Sequence, residues 1–351
     1  MDDKFLQTDL MVVLSDKVIS SLLSIEETIH LVEAAFAANA FGSAVALPVV
    51  VESLPVFNAQ FGVKSGYIKS SHWSDSESAL LRYLSEAVGD VVGLKAGGYW
   101  RNNTGLGLPG HRAAMLLLNP SNGNVTAMLS ANMITRLRTA AGGAVSAKYL
   151  AREDSHLAAV IGAGEQAHAQ LTALKAVREI RQAYVWARRR AASEAFAAAW
   201  SDSGIEVRAV DTVHDATKEA DVIITATNST QALVSSEIVR DGTHVVAVGS
   251  DAKGKQELDI GLLQRARVVV DKTKQSIEIG ELQQATSRGM SASNMVYAEL
   301  GEICAGLKSG RANRQEVTVF DSSGVSFQDL VVAGYLARQA RARQVGEYIA
   351  V

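Results

Sequence analysis

Apolar positions change their spacing along the chain, and each change predicts a different kind of element. Residues 11–41 open on a short strand. Ile25, Ile29, Val32 and Phe36 then fall on one face at helical spacing, so 11–41 reads as a strand followed by a helix. Ser24 with Glu27 three places on is a capping-box pattern, and Gly42 and Pro48 stop the helix. From 45 to 130, β-rich runs alternate with Gly, Asn and Pro (ALPVVVESL, FGVKSGYI, VVGLKAGGYW, RAAMLLLN, NVTAML), which predicts an antiparallel sheet with a helix inserted over 74–91. Two of these runs read alike, Gly62 to Tyr67 and Gly93 to Tyr99. Each sets a lysine between glycines within a strand, where glycine marks a close approach of backbone or ligand.

Residues 132–150 are a helix of small residues. From 156 the pattern becomes β-α-β: AAVIGAG, QAYVWA, DVIITAT, HVVAVGS and RVVVDK are short apolar runs, with helical stretches between the first of them. Continuous apolar strands alternating with helices predict a parallel sheet covered on both faces. The tail, 327–348, reads as one helix. No Pro- or Ser-rich linker separates the halves, so the junction near 135 is expected to be packed.

Composition narrows the class. A chain of 351 residues predicts two domains or one large one. The 34 basic and 37 acidic residues leave a formal charge of -3, which argues against binding by neutralising nucleic-acid phosphates. The single cysteine, Cys304, allows no intrachain disulfide and no Cys zinc site. With no apolar leader in MDDKFLQTDLMVVL and no run of about 18 apolar residues, a cytoplasmic protein is expected. No dense ligand spacing such as H-E-x-x-H occurs, so no metal is expected.

The strongest chemical signal is Leu157 to Ala167, a strand followed by G-x-G-x-x-A and a helix. Gly162 permits the tight turn, Gly164 lets backbone approach a pyrophosphate, and Ala167 lets the helix lie close to the strand. The free N–H groups at the helix start then face phosphates. This predicts dinucleotide binding, against the plainer alternative of a structural glycine turn. After the second strand, where an acid would bind the ribose of NAD, stand Arg188, Arg189 and Arg190. They favour NADP over NAD through a pairing with a 2′-phosphate, unless they are only the solvated start of a helix.

Lys64 and Lys95 in the glycine-flanked strands, Arg136 and Arg138 on the 132–150 helix, Asp251 after HVVAVG, and Gly324 before the last helix are the remaining candidates. Lysine and arginine near one acid read as a carboxylate anchor with a proton donor. Singly, such residues are ordinarily solvated.

Taken together, Gly-Leu-Lys at 93–95, Leu-Arg-Thr-Ala-Ala at 137–141, Gly-Ala-Gly-Glu-Gln-Ala at 162–167, Thr-Ala-Thr at 225–227, Val-Gly-Ser-Asp at 248–251, Gly-Lys-Gln-Glu-Leu-Asp at 254–259 and Ser-Ser-Gly with Gln-Asp at 322–324 and 328–329 resemble the ornithine cyclodeaminase/mu-crystallin family. The resemblance runs from about 20 to 345. It implies an α/β fold in which a Rossmann-type doubly wound domain, 136–320, is inserted in a substrate and dimerisation domain built from 1–135 and 321–351. It implies a homodimer and a small imino- or amino-acid substrate. By position, Lys95 and Arg138 bind the substrate carboxylate, with Lys95 close to the chemistry, and Asp251 is the acid/base group. Glu165, Gln166, Thr225, Thr227, Ser250 and Gly324 line the cofactor together with Gly162, Gly164, Ala167 and Arg188.

The sequence departs from the family pattern after Pro48, where Val49, Val50 and Val51 stand in place of an expected arginine. Lys64 is the nearest replacement. Lys64, Lys69, Arg101 and Arg112 would suit a dianionic substrate. The reading is therefore an NAD(P)H-dependent imine reductase, or amino-acid dehydrogenase, with iminosuccinate reduced to aspartate as the best-fitting case. The alternatives are a cyclodeaminase using NAD as an internal redox relay, and a non-enzymatic binding protein on the same scaffold.

Overall fold

The computed structural model describes residues 10–350, so most of the opening stretch read for a leader lies outside it. Two compact units divide the chain: residues up to Arg138 together with those from Val325 on, and Thr139–Gly324.

The first unit is a mixed sheet with helices laid against it. Its strands are β1 (Leu10–Leu14), β2 (Ala44–Ala46), β3 (Val50–Leu54), β4 (Ala59–Ile68), β5 (Val91–Trp100), β6 (His111–Leu118), β7 (Val125–Ser130) and a last strand, Glu347–Ala350. Pairing from β2 and β3 through β4, β5, β6 and β7 is antiparallel as expected, but β1 joins β7 in parallel. The helix Ile25–Ala40 starts at Ser24, whose hydroxyl accepts from Glu27 N at 3.1 Å. The Glu27 carboxylate instead accepts the Tyr83 hydroxyl at 2.6 Å, on the inserted helix Ala79–Ala87. A further short helix, Asp16–Leu22, was not expected from the pattern.

The tail corrects the expectation of one helix to 348. The helix Ser326–Arg343 ends at Gln344, which takes a left-handed φ of 53°, and Gly346 follows at 96°. Those two turns release Glu347–Ala350 to pair antiparallel with β1. The helix is buried throughout Ser326–Gly334, with Phe327 edge-on to Phe36 at 5.4 Å. It lies close over the sheet because Gly66 and Gly93 are register partners on β4 and β5. A Cβ on Gly66 would stand 2.7 Å from Ser326 Oγ, and one on Gly93 3.1 Å from Leu330 Cδ2. Of the glycines flanking the two lysines, Gly66 and Gly93 thus admit a helix.

The second unit holds β8 (Leu157–Ile161), β9 (Gln182–Trp186), β10 (Glu206–Ala209), β11 (Val222–Thr225), β12 (Thr230–Val234), β13 (His244–Ala247), β14 (Gln256–Leu258), β15 (Arg267–Val270), β16 (Val296–Glu299) and β17 (Thr318–Asp321). Eight form one all-parallel sheet, ordered β10-β9-β8-β11-β13-β17-β15-β16, while β12 and β14 pair separately. β8, β11, β13 and β17 are buried at every position, as strands covered on both faces must be. The order reverses beside β8, since β9 and β10 run out one way and β11 the other. Ligands of open α/β sheets bind at such a reversal, at the carboxyl ends of the strands. No helix among the described residues is long and apolar enough to cross a membrane.

Candidate active site

Each unit carries candidate residues of its own. In the first, Lys64 and Lys95 stand directly opposite each other on β4 and β5, so both side chains project from the same face of the sheet. Lys95 is buried, and its Nζ donates to Asp329 Oδ1 at 2.8 Å and to Thr135 Oγ1 at 3.2 Å. Arg138, also buried, donates from Nε to the same Asp329 oxygen at 2.9 Å and from Nη1 to Gln328 Oε1 at 3.3 Å. Thr135 and Arg138 come from the helix Asn132–Leu150, while Gln328 and Asp329 come from the first turn of Ser326–Arg343.

Burial pushes the Lys95 ammonium down to about 7, with Arg138 and Lys64 adding to the effect and Asp329 opposing it. For Asp329, burial acts upward. Arg138, Lys95 and Lys64 together outweigh it and hold the carboxyl below its ordinary range. The cluster is therefore an ion network with more than one cation around one buried carboxylate.

The other cations named from the sequence are not in this network. β6 pairs Met115 with Lys95 and Arg112 with Gly98, so Arg112 projects from the opposite face. There it lines a cavity of about 780 Å³ with Phe61, Ala96 and Met128. Lys69 and Arg101 are exposed, and the half-buried Arg136 is not among the partners of Asp329.

In the second unit the glycine turn has the geometry its sequence requires. Gly162 takes φ +118°, and a Cβ there would meet Ala226 O at 2.5 Å, across the reversal from β8 to β11. Gly164 precedes the helix Glu165–Val177, and a Cβ there would meet nothing within 4 Å. Open space at the start of a helix, over free N–H groups, fits a dinucleotide pyrophosphate. Ala167 is fully buried beneath it. Glu165 and Gln166 form the first turn.

Beyond β9, Arg188 and Arg189 are exposed. Arg190 pairs with Glu194 at 3.0 Å and Asp211 at 2.5 Å. Arg190 thus starts the helix Arg190–Ala198 and is engaged with these carboxylates.

Asp251 follows β13 at the carboxyl edge, more than half exposed, with Lys255 Nζ at 2.6 Å. Ser250 is buried and turned inward, its hydroxyl donating to Lys255 O at 3.2 Å. Thr225 donates its hydroxyl to Glu257 at 2.6 Å, and Thr227 gives Glu257 both its N–H and its hydroxyl. Gly324, at φ +78°, donates its N–H to Asp271 at 2.6 Å. These four residues build the edge from within rather than presenting free side chains to it.

Buried carboxylates organise that edge, and sequence reasoning assigned them no role. Glu257 also accepts from Gly249 N at 2.8 Å, so one side chain ties the loop after β11 to the loop after β13. Glu281 accepts from the N–H groups of Glu257 and Leu258. Asp321 accepts from the Ser276 hydroxyl and from Glu281 N. Burial raises the carboxyls of Glu257 and Glu281 and pushes that of Asp321 up to about 8. Asp321 alone of these stands at the end of an apolar run, while Glu257 and Glu281 lie in polar stretches with other acids. Asp329 was visible only as part of a motif. Among the described residues no group of three or more His, Cys, Asp or Glu could hold a metal ion.

Comparison with known proteins agrees with this architecture. The model of the "Ornithine cyclodeaminase/mu-crystallin family" matches residues 9–344. The iminosuccinate reductase of Paracoccus denitrificans is 37% identical over 97% of this chain and 100% of its own. Its structure with NAD+ superposes with a TM-score of 0.86 at 36% identity, covering 97% of this chain and 100% of that one. The alanine dehydrogenase of Archaeoglobus fulgidus is 35% identical over 96% of this chain and 97% of its own. A solved archaeal alanine dehydrogenase dimer with bound NAD has a TM-score of 0.87 at 34% identity, over 97% and 99% of the two chains. The Δ1-pyrroline-2-carboxylate reductase of Thermococcus litoralis, solved with NADH and L-proline, has a TM-score of 0.87 at 31% identity, over 97% and 100%.

Proposed function

The chain belongs to the ornithine cyclodeaminase/mu-crystallin family, and on that premise we propose that it is a nicotinamide-dependent imine reductase acting on a small 2-imino acid. The observation that carries the reading is the sharing of one buried Asp329 oxygen by Lys95 and Arg138. Two fixed cations against one carboxylate leave positive charge in a buried place, and buried charge calls for a counter-ion. A substrate α-carboxylate supplies it.

The cofactor, when bound, supplies the hydride that reaches the imine carbon. The residues at the Gly162–Ala167 turn fit its pyrophosphate. Lys95 and Arg138 hold the α-carboxylate and fix the orientation of the imine carbon. Asp251 protonates the imine nitrogen, or stabilises its protonation, which makes the imine carbon a better hydride acceptor. Lys255 Nζ, 2.6 Å from Asp251 Oδ1, holds that carboxylate in place. Lys64, opposite Lys95, points to a second carboxylate on the substrate, which favours iminosuccinate, with aspartate as product. Arg188 favours NADPH. The protein works as a homodimer in the cytoplasm, and the apolar Val50, Val51, Val56 and Phe57 exposed on the first unit suit a subunit contact.

The test is an assay of purified protein with NADH or NADPH, ammonia and a panel of 2-oxo acids, read at the nicotinamide absorbance. Oxidation of the cofactor with oxaloacetate faster than with pyruvate supports the full reading. Turnover of pyruvate alone keeps the imine reductase and rejects the second carboxylate. Ammonia release from ornithine without net change in cofactor makes the protein a cyclodeaminase.

A further inference from the structure

Asp329 has an uneven set of partners. Its Oδ1 accepts from Lys95 Nζ at 2.8 Å and from Arg138 Nε at 2.9 Å, while its Oδ2 is buried without a hydrogen-bond partner. A carboxylate that served only to neutralise two cations would gain by giving one oxygen to each. Here one atom sets the spacing of both. The second arm of Arg138 reaches Gln328 Oε1, and that same oxygen accepts from Val325 N at 3.0 Å, so the guanidinium plane is tied to the helix start as well. The helix in turn has its height over the sheet set by the Gly66–Gly93 pair.

We propose that Asp329 is a positioning residue for the substrate site, fixing the distance between Lys95 and Arg138 and keeping Lys95 charged without itself touching substrate. The proposal rests on Lys95 and Arg138 being the carboxylate clamp. Its side chain is 1% exposed, which leaves no surface for a ligand. The groups that face Lys95 are Lys64 from β4, Thr135 and Arg138 from the helix Asn132–Leu150, and Asp329 from Ser326–Arg343. Of these, Asp329 alone carries negative charge. Burial and both neighbouring cations work to strip the Lys95 proton, and Asp329 alone among the charged groups retains it.

Two substitutions in the full-length protein separate charge from spacing. Asp329→Asn removes the charge and keeps the length of the arm. Relative to wild type, its KM for the imine of pyruvate or oxaloacetate should rise tenfold or more at pH 8, and the alkaline limb of kcat/KM should move to lower pH. NADH affinity should be unchanged, because the cofactor turn lies in the other unit. Asp329→Glu keeps the charge and lengthens the arm. It should restore the position of the alkaline limb while KM stays raised, and this variant decides the matter if Asp329→Asn does not fold. Equal loss at every pH with KM unchanged in Asp329→Asn, or a wild-type KM in Asp329→Glu, overturns the proposal. Lys95→Met and Arg138→Met report separately on the clamp. If neither raises KM, the clamp reading fails whatever the Asp329 variants do.

Discussion

Lys64 and Lys95 are direct partners across an antiparallel ladder, two cations side by side on one face of a sheet. Like charges at opposed positions are destabilising in a strand pair. Their coexistence is explained by what lies over them, the carboxylate of Asp329 and, in the proposed function, the carboxylates of a substrate.

Lys64→Met reads the side chain of that substrate. A charge-assisted hydrogen bond is worth about 1.5–3 kcal/mol, or about tenfold to a hundredfold in kcat/KM. The expected result is a loss of that size with oxaloacetate and ammonia and little change with pyruvate and ammonia. Equal losses would make Lys64 part of the α-carboxylate site in place of the family arginine. No loss with either would place it outside the substrate contacts.

Asp251→Asn should lower turnover by about 10²–10⁴-fold, the usual contribution of a general acid or base. Cofactor affinity, followed by quenching of tryptophan fluorescence, should stay at the wild-type value. Turnover near wild type would remove Asp251 from the chemistry.

Arg188→Ala should raise the KM for NADPH tenfold or more and leave that for NADH unchanged. Arg190→Ala should do neither, since Arg190 is engaged by Glu194 and Asp211. A wild-type preference for NADH that the Arg188 variant does not alter would show that the arginines face water.

Asp321→Asn addresses stability. Burial raises the folded carboxyl to about 8 from an ordinary value of 3.8, so the folded state holds the proton more tightly. The associated stability is fully present below about 4 and is lost as pH rises through about 8. The substitution should therefore raise Tm relative to wild type more at pH 9 than at pH 5. A pH-independent difference would mean that Asp321 does not titrate in this range.

Much of the frame was legible because it is local. The helix Asn132–Leu150 and the helix Glu165–Val177 begin and end where their apolar spacing and glycine turn place them. The antiparallel runs lie where turn residues bound them. Glu347–Ala350 was not legible, because it is a strand only by virtue of β1 beside it. Asp329 was missed for the same reason on a larger scale. Its meaning depends on Lys95, 234 residues earlier, and no pattern within a window joins the two. Glu257 and Asp321 look like ordinary acids until the fold places them among buried strand ends.

The contact between Lys95 and Asp329 also has a consequence for synthesis. The second unit is one uninterrupted stretch, Thr139–Gly324, and can fold while the chain is still being made. The first unit is split: β1–β7 come before residue 139, but the helix that carries Asp329 and the last strand come after 324, so Lys95 and Arg138 gain that carboxylate late. A chain cut before Val325 would lack the carboxylate that Lys95 and Arg138 share. Assembly of the anion clamp thus waits for synthesis of the helix Ser326–Arg343.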